Sequence, residues 1–307
     1  MDEYMNTSKR LILSIAGLCL GCVPDLGVPS SLIQSPRVLA VRSEPAEATP
    51  GETVHLMLYA ADPAGPVVAA TVDWAWCSAP KPPVENNVIS ERCLGDLATP
   101  LPSHELSIIT QVPSDACALF GPELPPQGPG EPALRPRDPD RTGGYYQPVR
   151  ARLLGLTTIG GVRIRCGLVG AAPAVATRFR SEYVPNRNPE ATVLGLSVDN
   201  VVVTPGSIPA GRELTLHLHL LPQAVERFLL FDSVQQSLQS TPETLRVSWL
   251  SAQGQFRIST TTASDESQVQ NHWIAPDNAG PVLLWTVLRD DRGGVSVLSH
   301  VLQVEDQ

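Results

Sequence analysis

Two cysteines near the start of the chain, Cys19 and Cys22, have the spacing of a redox pair or of half a metal site. A thioredoxin-like pair should open a helix in a βαβ unit, and a structural zinc site needs a second pair of ligands. The sequence around the two cysteines offers neither. The apolar run before them, residues 11–20, is too short for a membrane-spanning helix, which needs about twenty residues. With the cations Lys9 and Arg10 in front of it, the run predicts a secretion signal.

The four residues that close this segment, CLGC at 19–22, resemble the lipobox of bacterial lipoproteins. By this resemblance residues 1–21 are a signal peptide, cleavage follows Gly21, and Cys22 carries the lipid, palmitate included. Residues 22–36 would then be a tether. No aspartate follows the lipidated cysteine, so the resemblance implies lipid anchoring in the bacterial cell envelope, at the outer membrane. A cysteine stands where the lipobox usually has leucine, and an ordinary or an uncleaved secretory signal is the alternative.

Four further cysteines lie in the first part of the chain. An exported protein meets an oxidising compartment, so two disulfides are expected, and four thiols allow three pairings. The alternation in VRIRCGL directs Cys166 toward the core, while Cys77 ends the strand-like segment TVDWAWC. We predict that Cys77 pairs with Cys166, and that Cys93 pairs with Cys117 across a proline-rich insertion.

Histidines and neighbouring carboxylates are the candidates for metal chemistry. His217 and His219 would lie about 7 Å apart on one face of a strand. A third ligand would have to come from elsewhere in the chain, from His55, His272 or His300. Two solvent-facing histidines beside inward leucines are the simpler interpretation. The acidic pairs within 138–140 and 290–291 fit turns better than a calcium loop, so we predict no metal site and no cofactor.

The motifs that commonly carry catalysis are missing from the sequence. There is no GxSxG elbow, no HExxH, no P-loop and no GxGxxG. The net charge of −9 makes nucleic acid an unfavourable partner. The sequence therefore predicts a protein that is not an enzyme and that does not bind nucleic acid.

Two segments, YYQPVRARLL and GGVRIRCGL, alternate arginine with other residues. If they pair as antiparallel strands, the alternation collects four arginines on the outer face of the sheet. This set, the arginine stripe, is Arg150, Arg152, Arg163 and Arg165. Arginine favours bidentate contacts with carboxylate, phosphate or sulfate, so the stripe predicts an anionic polysaccharide or a lipid headgroup as partner. Alternatively, nearby Asp and Glu side chains neutralise the stripe. The adjacent Tyr145 and Tyr146 could stack on a ligand, or they could pack within the sheet.

The segments that must position these residues read as two β domains in tandem. The stretch PGETVHLMLYA, from residue 50, is echoed by AGRELTLHLHL, from residue 210, and a Trp-bearing strand follows each copy. One short helix is expected to begin at Pro173. The predicted bounds are a first domain at 37–184 with a proline-rich insertion at 78–144, a linker at 185–192, and a second domain at 193–307.

The tail of the second domain, from His272 onward, resembles the end of a bacterial immunoglobulin-like domain. A proline and glycine turn precedes its penultimate strand, and an Asp/Gly-rich hairpin leads to the last strand. Trp249 would be the core tryptophan of a central strand. The whole chain resembles bacterial cell-surface lipoproteins with Ig-like domains, and this resemblance implies an all-β fold of two tandem sandwiches.

That architecture is shared by adhesins, enzyme accessory modules and envelope scaffolds, so it constrains function weakly. We expect a non-catalytic, lipid-anchored envelope protein that acts as a binding or spacer module. Its partner would be an envelope protein or an anionic polysaccharide. The alternative is an accessory or catalytic component of a surface carbohydrate-active or hydrolytic system, with its site supplied by residues 78–144.

Overall fold

The computed structural model describes residues 28–68, 70–80, 89–95, 98–102, 105–122, 129–130, 141–198, 201–203, 208–264 and 267–306. This part of the chain is all-β and forms two Ig-like sandwiches in tandem, as predicted. The predicted signal peptide at 1–21, Cys22 and the acidic pair at 138–140 lie outside it. Within these ranges, no helix combines the length and the apolar character that a membrane crossing requires.

The first sandwich has two sheets. Its strands are β1 Arg37–Glu44, β2 Glu47–Ala48, β3 Thr53–Asp62, β4 Gly65–Pro66, β5 Val72–Trp76, β6 Thr99–Pro100, β7 Ser107–Gln111, β8 Gly144–Leu153 and β9 Leu156–Arg165. One sheet runs β1-β3-β4, with β7 also paired to β3, and the other runs β2-β9-β8-β5-β6. Alternation in β3 buries Val54, Leu56 and Leu58 against Trp74 and Val149.

Residues 78–144 are less of an interruption than the sequence suggested. This range contains β6, β7, a 3-10 turn at Glu91–Cys93 and the helix α1 at Ala116–Phe120. Strand β7 pairs with β3 along its whole length and buries Ile108, because SIITQ alternates inward and outward residues as the neighbouring strands do. The segment therefore contributes an edge strand to the first sandwich.

The second sandwich repeats the scheme. Its strands are β10 Ala191–Val198, β11 Val201–Val203, β12 Ile208–Pro209, β13 Glu213–Leu220, β14 Arg227–Asp232, β15 Ser237–Pro242, β16 Leu245–Ser251, β17 Gln255–Phe256, β18 Thr260–Ala263, β19 Gln268–Ile274, β20 Gly280–Arg289 and β21 Val295–Glu305. The sheets run β11-β10-β13-β19-β17 and β12-β21-β20-β16-β18, and β14 pairs with β15 as a separate hairpin. Trp249 is fully buried between the sheets, as predicted, together with Trp273.

A helix and an extended segment join the sandwiches. Helix α2, Pro173–Glu182, has proline in its first turn, where the missing N–H costs nothing. The connecting segment, residues 183–190, starts and ends two residues before the predicted linker because β10 already begins at Ala191. We call this segment the linker below.

The sandwiches also touch directly. Leu39 and Ala40 of β1 pack against Trp285, Val287 and Val295 of the second sandwich in one apolar cluster. The predicted tether takes part as well: Ile33 is buried in the same cluster, and its backbone N–H donates to the carbonyl of Ser251 at 2.9 Å. The end of the predicted tether is thus docked on the second sandwich, because an apolar residue at 33 can be removed from water there.

Candidate functional site

The arginine stripe forms only in part. Strands β8 and β9 pair antiparallel with Tyr146 opposite Arg163, so alternation does place all four arginines on one face of the sheet. Arg150, however, is only 4% exposed and lies 3.1 Å from a carboxylate oxygen of Asp73. Arg152 shares the same carboxylate at 3.4 Å. This half of the stripe is neutralised by Asp73 on the neighbouring strand β5.

The two arginines in the other half of the stripe differ in their surroundings. Arg163 is buried, and its Nε donates to Glu47 at 3.0 Å. Strand β2 runs parallel to β9 and brings Glu47 into register with Arg163. Arg165 is exposed, and its guanidinium lies 5.5 Å from the ring centre of Tyr183. The prediction of a continuous basic surface is therefore wrong, because two of its four arginines are buried in ion pairs.

The tyrosines beside the stripe are packing residues. Tyr145 is buried in the core of the first sandwich. Tyr146 reaches across to the second sandwich, where a Cβ added to Gly293 would come within 2.6 Å of its ring. Gly293 also has φ +95°, a conformation that favours glycine. Tyr146 is thus part of the contact between the domains.

Both disulfides form, but with a different connectivity from the predicted one. Cys77 pairs with Cys93, and Cys117 pairs with Cys166. The first bridge holds the 3-10 turn against the end of β5, where the carbonyls of Leu94 and Gly95 accept hydrogen bonds from Arg152 and Arg150. The second fastens α1 to the end of β9, because α1 packs on β8 and β9. Spacing alone could not show that the chain returns at residue 93.

The histidines form hydrogen bonds of their own. His217 lies on β13 and accepts a bond from the side-chain amide of Gln268 at its Nδ1, 2.7 Å away. Its Nε2 therefore carries the proton and donates to the hydroxyl of Ser197 at 2.9 Å. Burial, with His219 and His272 nearby, lowers the pKa of His217. Burial also lowers the pKa of His300 to about 4. Across the described ranges, no three His, Cys, Asp or Glu side chains converge as metal ligands would.

The most concentrated polar chemistry lies where the sandwiches meet the linker. The sequence pointed to two of its residues, Arg163 and Asp290, but not to Glu47, Asn186 or Arg292. Glu47 receives three hydrogen bonds, from Arg163, from the hydroxyl of Tyr183 at 2.6 Å and from the backbone N–H of Asn186 at 3.0 Å. Burial and the carboxylate of Glu47 raise the pKa of Tyr183, which keeps its proton and donates it in this bond. Glu47 therefore ties the first sandwich to the linker.

A second cluster ties the linker to the other sandwich. Arg292, buried in the turn between β20 and β21, donates to Glu243 at 2.6 Å and to Glu226 at 2.9 Å. A third bond goes to the carbonyl of Val184 in the linker at 2.9 Å. We call the contacts around Glu47 and Arg292, with the linker between them, the ionic joint.

Asp290 and Asn186 connect the two halves of the ionic joint. The side-chain amide of Asn186 lies 3.3 Å from both carboxylate oxygens of Asp290. Asp290 also accepts the backbone N–H groups of Arg292 and Gly294, at 2.9 and 2.8 Å, and so shapes the hairpin turn. The expected turn role of Asp290 is confirmed, but the carboxylate is buried rather than exposed. The feature visible in the sequence was the Asp-Asp-Arg-Gly-Gly turn itself, whose partners in the ionic joint lie between 49 and 108 residues away.

The charges in the ionic joint do not balance one to one. Glu243 and Glu226 both contact Arg292, the exposed Arg187 of the linker lies 3.6 Å from Glu226, and Asp290 lies nearby. Three carboxyl groups therefore share two cations. Burial and the like charge of Asp290 raise the pKa of Glu243 to about 7. One carboxyl of the cluster therefore holds a proton more readily than an exposed glutamate does.

This raised pKa predicts a pH dependence of stability. The contribution of Glu243 to the free energy of unfolding should be complete below its ordinary pKa of 4.5 and should be lost as the pH rises through about 7. Glu243→Gln keeps a neutral acceptor for Arg292 and should flatten the decline in the urea midpoint between about pH 5 and pH 8. The exposed Glu190→Gln is the control. Parallel profiles for the native protein and Glu243→Gln would contradict the assignment.

Comparisons with known proteins identify no family. No protein-family model matches the chain, and no curated protein matches it. Among solved structures, the D00-D0 domain of intimin is similar over 89% of this chain and 99% of its own length, at 10% identity and a TM-score of 0.26. The Yersinia pseudotuberculosis adhesin InvE is similar over 90% of this chain and 61% of its own, at 11% identity and a TM-score of 0.23. Likenesses of this strength transfer no function to this chain.

Proposed function

We propose that the chain is a non-catalytic, lipid-anchored protein of the bacterial cell envelope, in which two Ig-like sandwiches act as a rigid binding or spacer module. The observation that carries this proposal is the ionic joint. A flexible connection between domains is usually short of buried contacts, whereas this linker is bonded to both sandwiches by buried, charge-assisted hydrogen bonds.

The apolar contact between the sandwiches supports the same function. Leu39 and Ala40 of the first domain and Trp285 and Val287 of the second are each less than a tenth exposed. Opening the joint would return this surface to water, at a cost of about 25 cal/mol for each Å² of apolar area. A molecule with such a joint holds its far end at a fixed distance and orientation from its anchor.

The anchor itself is tested by two serine variants of the signal segment. Cys22→Ser should abolish labelling with a palmitate analogue and release the protein from the membrane fraction of an expressing bacterium. The reason is that Cys22 directly follows Gly21, after which cleavage is predicted, and would carry the lipid. Cys19→Ser is the matched control, since it changes a thiol three residues away and should leave labelling intact. Labelling that persists in Cys22→Ser would contradict lipid anchoring.

A further inference from the structure

A cleft lies where the first strand of one sandwich crosses the second sandwich. It has a volume of about 250 Å³ and is bounded by β1 on one side and by β16, β18 and β20 on the other. Two arginines line it, Arg37 from β1 and Arg289 from β20. Three residues that carry hydroxyl groups also line it, Ser248, Ser259 and Thr260. Both domains therefore contribute side chains with hydrogen-bond donors to its lining.

The positive charge in this cleft lacks the compensation found elsewhere in the molecule. The buried arginines Arg150, Arg163 and Arg292 each contact a carboxylate. Arg37 and Arg289 instead donate to backbone carbonyls, those of Ser30 and Leu39 respectively. In the part of the chain that the structure describes, neither makes an ion pair.

A third arginine adds to the uncompensated positive charge near the cleft. Arg246 lies directly opposite Arg289 in the pairing of β16 with β20. Like charges in that position destabilise a sheet unless something neutralises them. Burial, and then the charge of Arg246, lowers the pKa of Arg289. The charged form of Arg289 is therefore less stable here than in water. An anion in the cleft would remove this penalty.

We propose that the cleft between β1 and β20 is a binding site for a phosphate or sulfate oxyanion, held by Arg37 and Arg289 and by the hydroxyls of Ser248 and Thr260. A guanidinium has five N–H donors in a planar fork that matches two oxygens of such a group, and each of these arginines spends one bond on a carbonyl. The cleft volume of about 250 Å³ leaves room for a tetrahedral anion and a few waters.

The position of the cleft suggests where the anion could come from. Ser30, which lines the cleft, follows Cys22 by eight residues, and eight residues span at most about 28 Å. If Cys22 is lipidated, the headgroup phosphates of the same membrane are within reach. A soluble phosphate compound is the other source of the same chemistry, and the experiment separates the two. The site itself does not rest on lipid anchoring.

The test measures binding of inorganic phosphate to the full chain in neutral detergent, at constant ionic strength set with chloride. Phosphate should raise the midpoint of thermal unfolding in a saturable way, because an anion that binds only the folded state stabilises it. Arg37→Gln should weaken binding about tenfold or more, since charge-assisted bonds to phosphate are strong. Arg37 is exposed, so Arg37→Gln should fold like the native chain. The second variant is Arg289→Lys, which keeps the positive charge and loses the planar, forked guanidinium group. Arg227→Gln, on the separate hairpin, is the control.

Vesicles identify the source. If neutral vesicles fail to bind the chain, and vesicles with phosphatidylglycerol bind it in a way that free phosphate and Arg37→Gln both abolish, the anion is a headgroup. If free phosphate binds and vesicles add nothing, the ligand is soluble. The proposal is overturned if phosphate stabilises no more than chloride does, or if Arg37→Gln and Arg289→Lys bind phosphate as well as the native chain. A failure of lipid labelling at Cys22 would not produce either result.

Discussion

Replacing Arg292 by leucine is expected to lower the free energy of unfolding by about 3–5 kcal/mol, because it leaves the buried carboxyl group of Glu243 without its cation. Arg292 is almost completely buried and is the group that Glu243 and Glu226 share. It also donates to the linker carbonyl of Val184. The variant therefore removes the contact that fixes the linker to the second sandwich, and the loss should appear as a lower urea midpoint.

The control for Arg292→Leu is Arg178→Gln. Arg178 makes an ion pair of similar length with Glu182, at 2.8 Å, but on the exposed face of α2. Exposed pairs of this kind contribute little, so the urea midpoint should stay close to that of the native protein. Small-angle scattering of the folded Arg292→Leu chain should also show a broader distribution of interatomic distances. An unchanged midpoint and an unchanged distribution would contradict the ionic joint as the source of rigidity.

Glu47→Leu should be destabilising to a similar extent, about 3–5 kcal/mol, because it leaves Arg163 buried without a counter-charge. The same change removes the acceptor for Tyr183 and for the N–H of Asn186. The double variant Glu47→Leu with Arg163→Met should recover a large part of the loss, since an apolar pair of similar volume can replace a buried ion pair. Chemical unfolding of the four proteins in a double-mutant cycle measures both effects.

The control for the second prediction is Glu44→Gln. Glu44 lies three residues before Glu47 and pairs with Arg42 at 2.7 Å, but its side chain is about half exposed. Glu44→Gln should therefore lower the free energy of unfolding only slightly. If Glu47→Leu were no more destabilising than Glu44→Gln, or if the double variant were as unstable as the single one, Glu47 would not hold the joint.

Local periodicity was enough to predict much of the fold. The alternation of β3 and β13, the antiparallel pairing of β8 with β9, and the hairpin after β20 all depend on residues close in sequence. The core position of Trp249 follows from the same alternation in β16. A period of two residues decides which side chains face inward, and it can be read without knowing what lies on the other side.

The candidate sites were predicted less well because they depend on distant partners. Asp73 and Glu47 neutralise three of the four arginines of the stripe, and they lie 77 and 116 residues from Arg150 and Arg163 in the sequence. Nothing in the strands that carry the arginines reveals that carboxylates from β5 and β2 lie beside them. The predicted pairing of the cysteines was wrong for a related reason. Cys93 lies in a 3-10 turn that returns to the end of β5, and such turns have no periodic pattern in the sequence. Sequence alternation gives the face of a strand, but not its neighbours.

The docked segment before β1 determines how the molecule would carry a mechanical load. Ser31 and Ile33 exchange backbone hydrogen bonds with Ser251, at the end of β16 in the second sandwich. A pull on the N-terminal end therefore reaches the second sandwich through these two bonds before it reaches β1 of the first. The load divides between the domains instead of passing through them in series. Under tension, the two hydrogen bonds at Ser251 must therefore break before the first sandwich bears the whole force.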